Sequence, residues 1–207
     1  MQFDLIRWVL VVVLVIVVRF GARALLKNVG KKALAKQPDA YHLTQMGVLI
    51  WKDPPAVRKL SDALVACAFE EIGDYSITEM PQVKVRFLMK PADSVYACVY
   101  EHEKAGIWMD VITRYKEHRS VTFTTARDRG LEHRPGDIVV HAPGSTPQAL
   151  YARLLAERPK GDLEEITAES ALRLFEEASQ QQLEWRRNRG VSAEEVARVG
   201  KTRVGKA

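Results

Sequence analysis

Cysteine is nearly absent from this chain: Cys67 and Cys98 are the only two in 207 residues. Two thiols cannot build a disulfide framework or a four-cysteine zinc site. Both sit among apolar residues and read as small core side chains rather than nucleophiles. The phosphate-binding loops are missing too, with neither GxxxxGK[ST] nor GxGxxG present, and so are the GxSxG elbow and the HExxH pair. Common nucleotide-binding, serine-hydrolase and zinc-protease chemistries are thereby left without their signatures. There is no internal repeat. With 47% hydrophobic and 28% charged residues, collagen-like, mucin-like, prion-like and wholly disordered readings fail. The length suits one ordinary domain with an appendage.

Charge is unevenly placed along the chain. Residues 1–36 hold seven basic residues against one acid, Asp4, a net +6. The remaining 171 residues hold 24 basic and 25 acidic residues, a net −1. A near-neutral folded part has no electrostatic footprint for a phosphate backbone, so no nucleic-acid partner is expected.

Trp8 to Val18 is an unbroken apolar run, extended by Leu5, Ile6 and Phe20 and edged by Arg7 and Arg19. Roughly 16–20 helical residues at about 1.5 Å each span about 24–30 Å, the short end for a bilayer. The sequence therefore predicts a single transmembrane helix within an anchor segment, 1–36. Positive charge follows the run, which places the rest of the chain on the cytoplasmic side of the plasma (inner) membrane. Ala22-Arg23-Ala24 also satisfies a small-x-small cleavage pattern. An exported structural protein with a removed signal is the alternative. Arg19, Arg23, Lys27 and Lys31 recur every fourth residue and would form a basic stripe against anionic lipid headgroups. The helical pattern fails at Lys36-Gln37-Pro38, because a residue before proline avoids the helical region.

A globular domain is expected over 37–190, followed by a short helix and a frayed basic tail over 191–207. Asp53-Pro54-Pro55 starts a helix with apolar spacing to Ile72, and Gly73 appears as its stop. From Val83 the apolar period becomes two. Short polar turns at Pro91–Ser94, Glu103–Gly106 and Lys116–Arg119 then separate strands. Helices begin again at Thr146-Pro147 and Thr167, and Ser192-Ala-Glu-Glu195 is a capping-box pattern. The expected class is α+β, with an antiparallel meander of four to six strands packed by helices.

Four-residue loops at the first two turns fix a register. Val85, Phe87 and Met89 then share a face with Tyr96, Cys98, Tyr100, Met109 and Val111. The opposite face carries Leu88, Val95, Ala97, Val99, Trp108, Asp110 and Ile112, joined by Val121 and Phe123. Both faces are apolar, so either helices cover both or one is a binding surface. The candidate groove is floored by Trp108 and rimmed by Arg86, Asp110 and Arg114.

Glu101-His102-Glu103 is the densest metal-like cluster, but its neighbours on a strand point to opposite faces, and it reads as solvated charge. No metal or cofactor is expected. Asp110 interrupts an apolar strand beside Trp108, where a carboxylate can have a raised pKa. His141 precedes Ala-Pro-Gly-Ser-Thr-Pro at a strand-to-helix junction. The arginines of Trp185-Arg-Arg-Asn-Arg189 complement a helix dipole. Together these features predict a membrane-anchored, non-catalytic domain that binds a ligand or protein partner. The alternative from another class is a membrane-bound enzyme acting on a lipid or peptide through Asp110, His141 and Arg114.

Overall fold

The computed structural model describes residues 28–32, 34–47 and 51–204. The predicted transmembrane segment, with Arg19, Arg23 and Lys27 of the basic stripe, lies outside them, while Lys31 is helical and exposed.

The class is α+β, and the expected architecture needs correction on two points. No helix among the described residues is long and apolar enough to cross a membrane. The sheet has seven strands and is mixed. In spatial and sequence order they are β1 (Leu43–Gln45), β2 (Glu70–Ile77), β3 (Met80–Lys90), β4 (Val95–His102), β5 (Gly106–Arg114), β6 (Ser120–Thr124) and β7 (Ile138–His141). The first six are antiparallel neighbours, and β7 runs parallel to β6. A parallel pair needs a crossover of about a dozen residues, which the stretch between Thr124 and Ile138 supplies.

Beyond the helical residues 28–32, the helices among the described residues are α1 (Pro54–Val65), α2 (Pro147–Glu157), α3 (Ala168–Arg189) and α4 (Ala193–Val204). The Asp53 carboxylate accepts from Ala56 N at 3.1 Å to start α1, and the Thr146 hydroxyl accepts from Ala149 N at 3.2 Å to start α2. Proline occupies the first turn of both helices, where its missing N–H costs nothing. α1 ends well before Ile72. Ala68 turns left-handed at φ 62°, and the chain then enters β2 with Phe69 buried. Gly73 is thus a bulge residue of β2 rather than a helix stop. A left-handed alanine is strained by about 1 kcal/mol relative to glycine. Ala68→Gly is expected to raise stability by up to that amount in chemical denaturation.

Two compact units are formed: residues 38–128 with 133–184, the sheet unit, and residues 1–37 with 129–132 and 185–207, the terminal unit. In the sheet unit both faces are covered. Leu88, Val95, Ala97, Val99, Met109, Val111, Val121 and Phe123 pack with α1 and α2 through Val57, Leu64, Leu150 and Leu154. Tyr75, Val85, Phe87, Tyr96, Cys98 and Ile112 pack on the other face with Ile166 and with Ala171 and Leu174 of α3. This double cover explains why β3 breaks its alternation at Leu88: a central strand buried on both sides reads as nearly continuous apolar sequence.

Candidate functional site

Register decides which side chains meet. Pairing of Lys90 with Val95 matches the expected four-residue loop. The next hairpin pairs His102 with Gly106, one residue shorter than expected. His102 Nδ1 accepts from Lys104 N at 2.9 Å and Ala105 N at 3.1 Å, and Gly106 adopts φ 81°, so the chain reverses early. That one-residue difference turns β5 over. Trp108, Asp110 and Ile112 therefore lie with Tyr100, Cys98 and Tyr96, on the α3 face.

The predicted groove is corrected accordingly. Arg86 is on the opposite face, where it binds Asp74 through Nε at 2.7 Å and Nη2 at 2.9 Å and stands over the Trp51 ring at 5.7 Å. Arg114 shares the face of Asp110 but is no rim residue: it is 1% exposed, and its Nη2 donates to Gln181 Oε1 at 3.3 Å. Four residue steps along the strand, about 13 Å, separate it from Asp110, and no ion pair joins the two among the described residues. Trp108 and Asp110 do adjoin. The Trp108 ring stacks on Tyr100 with centroids 4.9 Å apart and planes 12° apart.

A row the sequence did not reveal runs straight across four strands. Cys98 pairs with Asp110, Asp110 with Thr124, and Thr124 with His141. Thr124 Oγ1 accepts from Ala126 N at 3.0 Å, which leaves its proton to donate to the Asp110 carboxylate. Burial pushes Asp110 up to about 6, against the opposing pull of hydrogen bonds from Thr124 and Tyr100 and of nearby His141. Asp110 Oδ1 is buried with no hydrogen-bond partner among the described residues. A buried acceptor without a donor costs about 1–3 kcal/mol, so this oxygen is an unmet demand.

His141 closes the row. Its Nδ1 lies 2.9 Å from the Ala126 carbonyl oxygen. A carbonyl only accepts, so Nδ1 carries a proton and Nε2 is the nitrogen directed at Asp128 Oδ1, 3.8 Å away. Asp128 is exposed, so the row meets solvent at this end. Thr124 stands between Asp110 and His141, and two inter-strand spacings of about 4.8 Å keep them from acting as a directly bonded acid–base pair.

Other polar constellations are committed to the fold. Lys90 Nζ donates to Tyr151 Oη at 2.7 Å and lies 3.1 Å from Asp93 Oδ2, which accepts from Tyr151. The Tyr151 bond raises Lys90 and lowers Asp93, while burial raises Tyr151, so all three move away from neutrality. Burial likewise raises the Cys98 thiol well above its ordinary value. Glu101, only 4% exposed, accepts from Lys52 N at 2.7 Å and Asp53 N at 2.8 Å, and so holds the entry to α1. Beside it lies a groove of about 500 Å³ lined by Trp51, Lys52, Gln82, Lys84 and Lys104. Glu101→Gln removes one of the two charge-assisted acceptors and is expected to cost about 1.5 kcal/mol in urea unfolding. Among the described residues no group of three or more His, Cys, Asp or Glu side chains is placed to hold a metal ion.

No protein-family model, curated protein or solved structure matches this chain.

Proposed function

We propose that the chain is a non-catalytic binding domain that works at a membrane, on its cytoplasmic side, and takes a cationic group of a protein partner beside Trp108 and Asp110. The observation that carries this reading is Asp110 Oδ1, a buried carboxylate oxygen without a donor, next to a stacked Trp–Tyr pair. A lysine or arginine side chain satisfies the carboxylate and gains from the aromatic face. Charge supports the same partner chemistry: the sheet unit holds 16 basic and 22 acidic residues, a net −6. Membrane association rests on the sequence of residues 1–36, with its apolar run and basic cluster.

The enzyme reading has one observation in its favour, a carboxyl titrating near 6 in the same strand row as a histidine. Thr124 between them favours binding over proton transfer.

The test is quantitative affinity purification of the full chain from membranes. A partner recovered in fixed ratio with the wild type should be lost with Asp110→Asn and with Trp108→Ala, both variants remaining folded. Recovery should also weaken below pH 6 as the carboxylate is protonated. Equal recovery with all three chains would remove this site from the account.

A further inference from the structure

The even charge of the folded part conceals a strong segregation. The terminal unit is assembled from residues 1–37, 129–132 and 185–207. It carries 15 basic and 4 acidic residues, a net +11, against −6 for the sheet unit. Glycines permit its close contacts. A Cβ on Gly30 would stand 2.9 Å from Val191 Cβ and 3.2 Å from Val196 Cγ2, so only glycine lets residues 28–32 lie this close to the C-terminal residues. A Cβ on Gly130 would stand 2.8 Å from Arg198 Cβ, and φ there is 71°.

Two of the four acids are used up inside the unit. Glu132 pairs with Arg189 and with Arg198, the latter at 2.5 Å, and its carboxyl is held low chiefly by the Arg198 hydrogen bond. Glu195 is 2% exposed and pairs with Arg186 at 2.8 Å. Lys31, Lys32 and Lys36 are exposed, and α4 continues with Lys201 and Arg203. Two large apolar side chains are exposed in the same unit, Val29 at 57% and Leu131 at 45%.

We propose that the terminal unit is a docking surface for anionic membrane lipid, with residues 185–204 contacting the same bilayer surface as the basic residues Lys31, Lys32 and Lys36. This rests on the reading of the chain as membrane-associated and adds a second, C-terminal contact to it. Exposed apolar residues in a basic unit suit a lipid interface, where the side chains enter the headgroup region. A phosphate backbone would call on the cations alone.

The experiment uses the full chain with vesicles of phosphatidylcholine alone and of phosphatidylcholine mixed with phosphatidylglycerol. Partition is measured at limiting lipid, and amide exchange over 185–204 on the bound chain. The comparison is a variant carrying Lys31→Gln, Lys32→Gln, Lys201→Gln and Arg203→Gln. Each basic residue near an anionic surface is worth about 5-fold, so the wild type should prefer phosphatidylglycerol vesicles by roughly 100-fold or more. The variant should lose most of that preference, and exchange over 185–204 should slow in the wild type alone. Equal partition onto both vesicle types without slowed exchange overturns the inference and leaves membrane association standing. Absence of partition onto either overturns both. Tighter binding to a DNA duplex than to vesicles overturns the choice of lipid.

Discussion

Asp110→Asn is expected to stabilise the protein at pH 7.5 by roughly 2–3 kcal/mol and to change little at pH 3.5. Folded Asp110 titrates at about 6 because burial disfavours its charge, whereas an unfolded aspartate titrates at about 3.9. Between those values the folded state binds more protons than the unfolded one. The carboxyl's contribution is therefore fully present below about pH 4 and is lost as pH rises through about 6. The gap of about two pH units, at about 1.4 kcal/mol each, sets the size. Asparagine keeps an acceptor for Thr124 and Tyr100 and carries no charge to bury. Urea melts at the two pH values check this, and a variant less stable at pH 7.5 would show that the carboxylate already has a partner. The result bears on function because a residue that lowers stability where it stands is one the fold alone does not require.

Phe87→Ala is expected to cost about 3–5 kcal/mol. Phe87 is fully buried, with edge-on rings from Tyr75 at 5.5 Å and from Phe175 of α3 at 5.2 Å. Truncation removes the ring, leaves a cavity and breaks two aromatic contacts of about 0.5–1.5 kcal/mol each. Amide exchange should accelerate first in the first half of α3, since Phe175 loses its seat, and later in α1 and α2, which pack on the opposite face. A loss below about 1 kcal/mol would mean that α3 does not cover this face of the sheet.

The α+β class was legible because period-two and period-3.6 segments are separated by strong turn residues. β2 was hidden. Glu70, Glu71 and Gly73 dilute its pattern, and only Tyr75 and Ile77 are buried in it. β7 pairs in parallel with β6, and a parallel partner leaves no hairpin signal in the sequence. The face of Asp110 depended on one residue of loop length. The loop from Lys90 to Val95 was readable from its proline and its polar residues, and a short 3-10 turn, Pro91–Asp93, fills it. The loop after His102 closes through a histidine side chain, which no turn rule anticipates. A second slip, with Arg114 opposite Ser120, restores β6 to the expected side, so only β5 is inverted. That inversion alone parts Asp110 from Arg86 and sets it beside Thr124 and His141. The N-terminal part of the segregated charge was legible as a count, but its C-terminal part was not. The terminal unit joins three stretches distant in sequence, and a linear count averages the later two with their acidic neighbours.

The central claim is that half-buried Asp110 offers a carboxylate with one buried, unmet oxygen. Carbon-13 NMR of the Asp110 carboxyl in the full chain, followed from pH 3 to pH 9, tests it most directly. A single titration near 6, absent in Asp110→Asn, is the predicted result. A midpoint at or below about 4 would show a carboxylate already satisfied within the fold, and would contradict the account.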